Sequence, residues 1–214
     1  MFNLIVNIAK RMKTFSALCL TILLGVSLAP AAQQEGNQEA AKFAREASQA
    51  AKDQDWGKAI DGFRKAAEKD RKYAQNLAIA YQQRAFSYAN DQRFQDALND
   101  LGEALKIKPD DARAFEQRAA IYMRINDYDK AIADYTAASK ANPGEIKYHN
   151  YRAYIYEMRG DLPNAIAEND AALKISPKNK EAVDRKARLQ KIQQSMGPQQ
   201  PVNAPGVPAP PKKR

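Results

Sequence analysis

A proline recurs every 34 residues through the middle of this chain, at Pro109, Pro143 and Pro177. When the sequence is aligned on these prolines, an alanine, a tyrosine and two further alanines fall at the same offsets in three successive copies. The recurring residues are Ala85, Ala119 and Ala153, then Tyr88, Tyr122 and Tyr156, then Ala97, Ala131 and Ala165, then Ala104, Ala138 and Ala172. A fixed period of this length predicts an array of repeated structural units.

The offsets within one copy predict two helices. Counted from Ala78, Ala112 and Ile146, the alanine at position eight and the tyrosine at position eleven lie one turn apart on a first helix. The alanines at positions twenty and twenty-seven lie two turns apart on a second helix. Small side chains let antiparallel helices approach closely, and proline ends each second helix because it disfavours helical geometry in the residue before it. Each copy is therefore a hairpin that must stack on a neighbour to bury its apolar face.

The period and the repeated offsets within this chain resemble the tetratricopeptide repeat (TPR). The resemblance implies an all-α fold, an α-solenoid of stacked antiparallel helix hairpins whose inner surface binds other proteins. A degenerate copy precedes the three regular ones, because Asp55 to Ile60 aligns with Asp127 to Ile132 and so places its start at Ala40. This copy has Ala50 where the others have tyrosine and Arg71 where they have proline.

The chain thus divides into eight predicted segments. They are a signal peptide at 1–31, a mobile lead-in at 32–39, the degenerate first repeat with a four-residue insertion at 40–77, regular repeats at 78–111, 112–145 and 146–179, a C-terminal capping helix at 180–196, and a proline-rich basic disordered tail at 197–214.

The first segment has the features of a secretory signal peptide. It contains no acidic residue, and a basic cluster precedes the apolar run Thr14 to Ala29, which ends in a small-x-small site at Ala31. We expect export, to the periplasm of a bacterium. An uncleaved inner-membrane anchor is the alternative, although the run is shorter than the roughly 20 residues of a comfortable span. Translation from Met12 would give a more ordinary signal than translation from Met1.

Cysteine chemistry is not expected in the mature chain. Cys19, the single cysteine, lies inside the signal segment and follows Leu18, where a lipoprotein signal would have a small residue. Removal of the signal would leave neither a disulfide nor a thiol.

The net charge of +9 does not indicate nucleic-acid binding, because six of the excess positive charges lie near the two termini. These six are Lys10, Arg11, Lys13, Lys212, Lys213 and Arg214. Subtracting them from +9 leaves +3 for the remainder of the chain. We therefore expect a protein or peptide partner and no nucleic acid.

The C-terminal tail carries six prolines in eighteen residues and cannot form a core. It is either a solvated end without a partner or a tether toward cell-wall polymer, anionic lipid or a proline-binding protein. The capping helix before it has an amphipathic pattern that would shield the last repeat.

No residue pattern predicts catalysis, a cofactor, a metal site or a small-molecule substrate. His149, the single histidine, takes the position of Tyr81 and Phe115 in earlier copies and is interpreted as a packing residue. Carboxylates such as Asp110 and Asp111 have the positions of turn and helix-start residues rather than of an acid and base pair. We expect a non-enzymatic protein.

An arginine at position seven and an acid at position twenty-three recur together in the three regular copies. The pairs are Arg84 with Asp100, Arg118 with Asp134, and Arg152 with Glu168, whereas the first copy has Glu46 and Gly62. We predict that each arginine lies within about 4 Å of an acid and fixes the register of a hairpin.

Positions two, five, six, nine, twelve and thirteen share one side of each first helix, here called the first-helix face. It provides amides, cations and aromatic rings that suit an extended peptide. The residues selected are Gln82, Gln83, Phe86, Asn90, Arg113, Gln117, Arg124, Lys147, Asn150, Tyr151, Tyr154 and Glu157. The family members that grip chaperone C-termini use lysine and asparagines at places where this chain has Ala44, Ser48, Gln83 and Gln117. That carboxylate-binding function is therefore not expected here.

The sequence predicts a protein-binding scaffold of the cell envelope that holds an extended partner segment in the groove of the first helices. Two alternatives remain open at this stage. One is a membrane-anchored assembly factor for an envelope complex, and the other is a protein that binds an anionic polymer through its basic tail.

Overall fold

The structure is a computed structural model that describes residues 33–195. The predicted signal peptide and the predicted tail lie outside the described residues. Between residues 33 and 195 the secondary structure is helical, without a strand. The helices are α1 at 33–52, α2 at Trp56–Lys69, α3 at Ala74–Asn90, α4 at Phe94–Ile107, α5 at Ala112–Arg124, α6 at Tyr128–Ala141, α7 at Ile146–Met158, α8 at Leu162–Ile175 and α9 at Lys180–Ser195, with a 3-10 turn at Arg71–Tyr73.

The helices group into two compact units that divide after Pro109. The N-terminal unit contains the hairpins α1–α2 and α3–α4, and α2 packs on α3. The C-terminal unit contains the hairpins α5–α6 and α7–α8 followed by α9, with α6 packed on α7 and α8 on α9. The predicted fold class, an all-α arrangement of stacked helix hairpins of the α-solenoid type, is confirmed.

The recurring alanines lie where the two helices of a hairpin meet. In all four copies, the alanines at positions eight, twenty and twenty-seven are at most 1% exposed. Larger buried side chains pack in the same clusters as these alanines. They include Phe63 and Tyr81 in the N-terminal unit and Tyr135 and Tyr148 in the C-terminal unit. The tight helix contacts predicted from the small residues are therefore present.

Side-chain caps and prolines set the helix ends. Asp55, Asp127 and Asp161 each precede a second helix, and each accepts a hydrogen bond from a backbone N–H of its first turn. The residue before each repeat proline has an extended backbone, as at Lys108 and Asn142, so the second helix stops there.

Each hairpin turn contains one residue with a left-handed backbone at position fifteen. These residues are Gln54, Gln92, Asn126 and Gly160, with φ between 58° and 71°. Glycine and asparagine tolerate this conformation well, whereas for glutamine it carries a steric cost. In the second hairpin turn the left-handed residue is Gln92, directly after Asp91.

The first repeat departs from the others at both ends. Residues 33–39, expected to be a mobile lead-in, are helical and belong to α1. The four-residue insertion Ala74 to Leu77 forms the first turn of α3, directly after the 3-10 turn. Asp70 is extended although Arg71 is not a proline, and the 3-10 turn and α3 begin directly after it.

The predicted arginine–acid pairs are confirmed in all three regular repeats. Arg84 donates two hydrogen bonds to Asp100 at 2.7 and 2.8 Å, and Arg118 does the same to Asp134. Hydrogen bonding to these carboxylates raises the pKa of both arginines. Each pair joins the first and second helix of one hairpin and so fixes their register.

The third pair has additional partners. Arg152 donates to both oxygens of Glu168 at 2.9 and 2.8 Å and to the carbonyl of Tyr135 at 3.0 Å. His149 places Nδ1 2.7 Å from the same carboxylate and 3.0 Å from a guanidinium nitrogen of Arg152. Through its hydrogen bond to the carbonyl of Tyr135 on α6, Arg152 thus links its own hairpin to the preceding one.

The first repeat replaces the ion pair with direct helix contact. Gly62 stands at the acid position, and a Cβ added there would lie 2.8 Å from the Cβ of Ala47. Such a distance is below van der Waals contact, so α1 and α2 come too close at this level for any side chain at Gly62.

Candidate functional site

In the N-terminal unit, the first-helix face has one exposed aromatic ring. Phe86 on α3 is 57% exposed, and Asn90 is exposed one turn further along. Gln83 is half-buried and Gln82 is buried, so Gln82 belongs to the packing rather than to the accessible surface. Ile79, at position two of the same face, adds a further exposed apolar side chain.

In the C-terminal unit, the face on α5 is polar. Arg113 and Arg124 are exposed near opposite ends of the helix. Gln117 lies between them half-buried, and its side-chain oxygen is buried without a hydrogen-bond partner. An amide acceptor in this state favours a donor supplied by a ligand or by water.

Exposed apolar side chains form a continuous row on α7. Tyr151, Tyr154 and Met158 are 41%, 48% and 48% exposed, and helical spacing places them on one side of the helix. We call this row the α7 stripe. The ring of Tyr151 stacks on the buried ring of Tyr135 with centroids 4.7 Å apart, which holds one end of the stripe in place.

Charges beside the stripe are neutralised locally. Lys147 forms an ion pair with Glu116 at 2.7 Å, and that hydrogen bond raises the pKa of Lys147. Burial and the charge of Glu116 raise the pKa of Tyr148, while burial, followed by Tyr151, raises that of Tyr135. Tyr135 and Tyr148 therefore keep their hydroxyl hydrogens at physiological pH and add no charge beside the stripe.

Two of the predicted face residues instead hold α9. Asn150 is buried, donates to Glu181 at 3.2 Å and accepts from Arg185 at 3.3 Å. Glu157 forms ion pairs with Arg185 and Arg188 at 3.4 and 3.3 Å. Both side chains are therefore committed to contacts within the unit.

The sequence reasoning missed several residues of this surface. Met158 and Ile79 stand at positions thirteen and two, which the helical rule selects, so the signal was available. Tyr135 and Arg185 lie on neighbouring helices, and the periodicity of the first helices carries no signal for them.

Residues 33–195 contain neither a candidate membrane span nor a candidate metal site. None of the helices there combines the length and the hydropathy that a membrane span requires. Over the same stretch, no three His, Cys, Asp or Glu side chains come together as metal ligands.

A family model described as the tetratricopeptide repeat matches residues 83–146 and again 117–180. This stretch of the chain is similar to tetratricopeptide repeats. The two matches are offset by one repeat length and together run from the second half of α3 to the end of α8, where the proline period and the arginine–acid pairs are regular. Comparison with curated proteins gives no match.

Solved structures similar to this chain are TPR proteins. The TPR domain of Arabidopsis OM64 is 23% identical with a TM-score of 0.50, over 56% of this chain and 98% of that one. A TPR protein from Parabacteroides merdae is 20% identical with a TM-score of 0.54, over 74% of this chain and 61% of its own length. At this level of identity, the likeness shows the fold.

TPR domains are generally non-catalytic scaffolds for protein–protein interaction, and protein or peptide partners are the class that this fold serves. A fold does not identify a partner, so any more specific role depends on the exposed side chains of this chain.

Proposed function

We propose that this chain is an exported scaffold whose first helices bind an extended segment of a partner protein, with the α7 stripe as the main contact in the C-terminal unit. The observation that carries the proposal is the exposure of Tyr151, Tyr154 and Met158 on one side of α7. Aromatic and methionine side chains are enriched at protein interfaces, and aromatic residues are prominent among those that supply most of the binding free energy there.

The surroundings of the stripe favour an uncharged or mixed segment rather than a strongly acidic one. Lys147 is already paired with Glu116, and Arg185 with Glu157 and Glu181, so few cations near the stripe are left to pair with a ligand. Tyrosine hydroxyls can donate to backbone carbonyls while their rings contact apolar side chains. The expected ligand is an extended segment with apolar side chains and accessible carbonyl groups.

The proposal includes export to the cell envelope, which rests on the basic cluster, the apolar run and the small-x-small site of residues 1–31. Its test is N-terminal sequencing of the protein recovered from the envelope fraction. A start near Ala32 supports a cleaved signal, whereas retention of Thr14 to Ala29 favours the membrane-anchored alternative. Recovery from the cytoplasm alone would contradict export.

The binding proposal is tested with peptides. A displayed library of random unstructured peptides is selected on the purified chain, and the affinity of the selected peptides is measured by fluorescence anisotropy. Tyr154→Ala should weaken binding by about tenfold or more, equivalent to about 1.4 kcal/mol or more, as expected for a central aromatic contact.

A matched control comes from the same unit. Ile175 at the end of α8 is 40% exposed, close to the exposure of Tyr154, but it belongs to a second helix. Ile175→Ala should leave the affinity unchanged. Equal effects of the two substitutions would contradict binding by the first helices. So would selected peptides that bind the Tyr154→Ala variant as tightly as the original chain.

A further inference from the structure

The helix that carries the α7 stripe runs parallel to α9, the last described helix. Asn150 contacts Glu181 at 3.2 Å and Glu157 contacts Arg188 at 3.3 Å, and 31 residues separate the partners in both cases. The C-terminal ends of α7 and α9 therefore point the same way. Ser195 follows Arg188 by seven residues, which is roughly 10 Å further along α9.

The chain continues from this end of α9 into the proline-rich tail. A polyproline II segment rises about 3.1 Å per residue, so the ten residues from Ser195 to Pro205 can span about 30 Å. From Ser195 the tail must run back roughly 10 Å along α9 to lie level with Met158, which is about a third of that length. The tail can therefore reach the α7 stripe of its own chain without extending fully.

The spacing of the prolines fits the stripe. Pro205, Pro208 and Pro211 follow one another at intervals of three residues. Polyproline II has three residues per turn, so these rings would share one side at intervals of about 9 Å. The stripe from Tyr151 to Met158 spans seven residues of α helix, about 10 Å, so it matches one such interval and can hold two neighbouring prolines at a time.

The chemistry of the two surfaces also agrees. A polyproline II segment makes no internal hydrogen bonds, so its carbonyls are available to tyrosine hydroxyls, and its rings pack against aromatic side chains. Proline restricts the unbound segment in advance, which lowers the entropy lost on docking.

We propose that residues 197–214 dock on the α7 stripe of the same chain through two neighbouring prolines of the series Pro205, Pro208 and Pro211. The consequence of this contact rests on the proposed function. Because partner segments bind the same face, the tail competes with them for the α7 stripe. Replacing the three prolines with serine should therefore raise the affinity of selected peptides.

Photo-crosslinking of the full chain in cells tests this contact. Ala209→p-benzoylphenylalanine places the crosslinker between Pro208 and Pro210, beside the docking prolines. After irradiation and trypsin digestion, the expected product joins residues 192–212 to residues 153–159, which contain Tyr154 and Met158, within a monomer. The double substitution Tyr151→Ala and Tyr154→Ala should remove this product, and so should serine at the three prolines.

Three results would overturn the inference. The first is a crosslinked product of dimer mass, which would assign the tail to a second copy. The second is a set of products scattered over the surface. The third is a product that survives both sets of substitutions. If the product is absent while Tyr154→Ala still weakens peptide binding, the tail contact is rejected and the proposed function stands. If the product forms while Tyr154→Ala leaves peptide binding unchanged, the stripe holds the tail and the proposed function is rejected.

Discussion

The arginines of the two arginine–acid pairs in the C-terminal unit differ in burial, and this difference sets the cost of removing the charge of their acid partners. The Arg118 side chain is 23% exposed beside Asp134, whereas the Arg152 side chain is 6% exposed beside Glu168. Asp134→Asn and Glu168→Gln keep the shape of each acid but remove its charge. An unpaired buried charge costs about 3–5 kcal/mol, and water can solvate Arg118 but hardly Arg152. We expect losses of about 1–2 kcal/mol for Asp134→Asn and about 3 kcal/mol for Glu168→Gln.

Urea unfolding followed by circular dichroism measures both losses in the same unit. With a slope of about 2 kcal/mol per molar urea, the midpoint should fall by about 0.5–1 M for Asp134→Asn and about 1.5 M for Glu168→Gln. Asp129→Asn is the control, because this carboxylate is 83% exposed and its ion pair contributes at most about 1 kcal/mol. A loss at Asp134 that equals or exceeds the loss at Glu168 would refute the reasoning from burial.

Three other positions give direct tests of packing and capping. Gly62→Ala should lower the free energy of unfolding by about 1–2 kcal/mol in the same urea assay, because overpacking against Ala47 outweighs the better helix propensity of alanine; an unchanged midpoint would contradict the close helix contact. Asn169 is 1% exposed with its side-chain oxygen unpaired, at a position where other repeats have Phe63, Leu101 or Tyr135. Asn169→Leu should therefore raise the unfolding free energy by about 1 kcal/mol, despite losing one hydrogen bond, and a decrease would count against this interpretation. The hydrogen bond with Lys130 lowers the pKa of the cap Asp127 below 3.8, so its contribution is present above that pH and is lost as the pH falls through the native pKa. Asp127→Ala should lower the melting temperature at pH 7, and its difference from the original chain should shrink as the pH is lowered further and further below 3.8, whereas a constant difference would exclude the ionised cap.

The features that repeat were predictable from the sequence, because each copy confirms the others. The alanine contacts, the helix stops before proline and the arginine–acid pairs all follow from residue types at fixed offsets. A single copy offers no such check, so the helical start of α1 was not predicted.

The candidate site was only partly predictable for a different reason. The helical period selects one side of α7 but does not distinguish exposed residues from those that hold the next helix. Asn150 and Glu157 share that side with Tyr154, yet both are committed to α9. Their partners Arg185 and Glu181 belong to a helix outside the regular repeats, so no offset within a copy could have indicated the contact.

Site-specific photo-crosslinking to other proteins in the cell tests the central claim that partners bind the first helices. p-Benzoylphenylalanine is placed at Arg113 on α5 and at Tyr154 on α7, and at the exposed positions Ala133 on α6 and Ala167 on α8. We expect adducts of higher mass from the two first-helix positions and none from the two second-helix positions. Adducts that form equally well or better from Ala133 and Ala167 would contradict it.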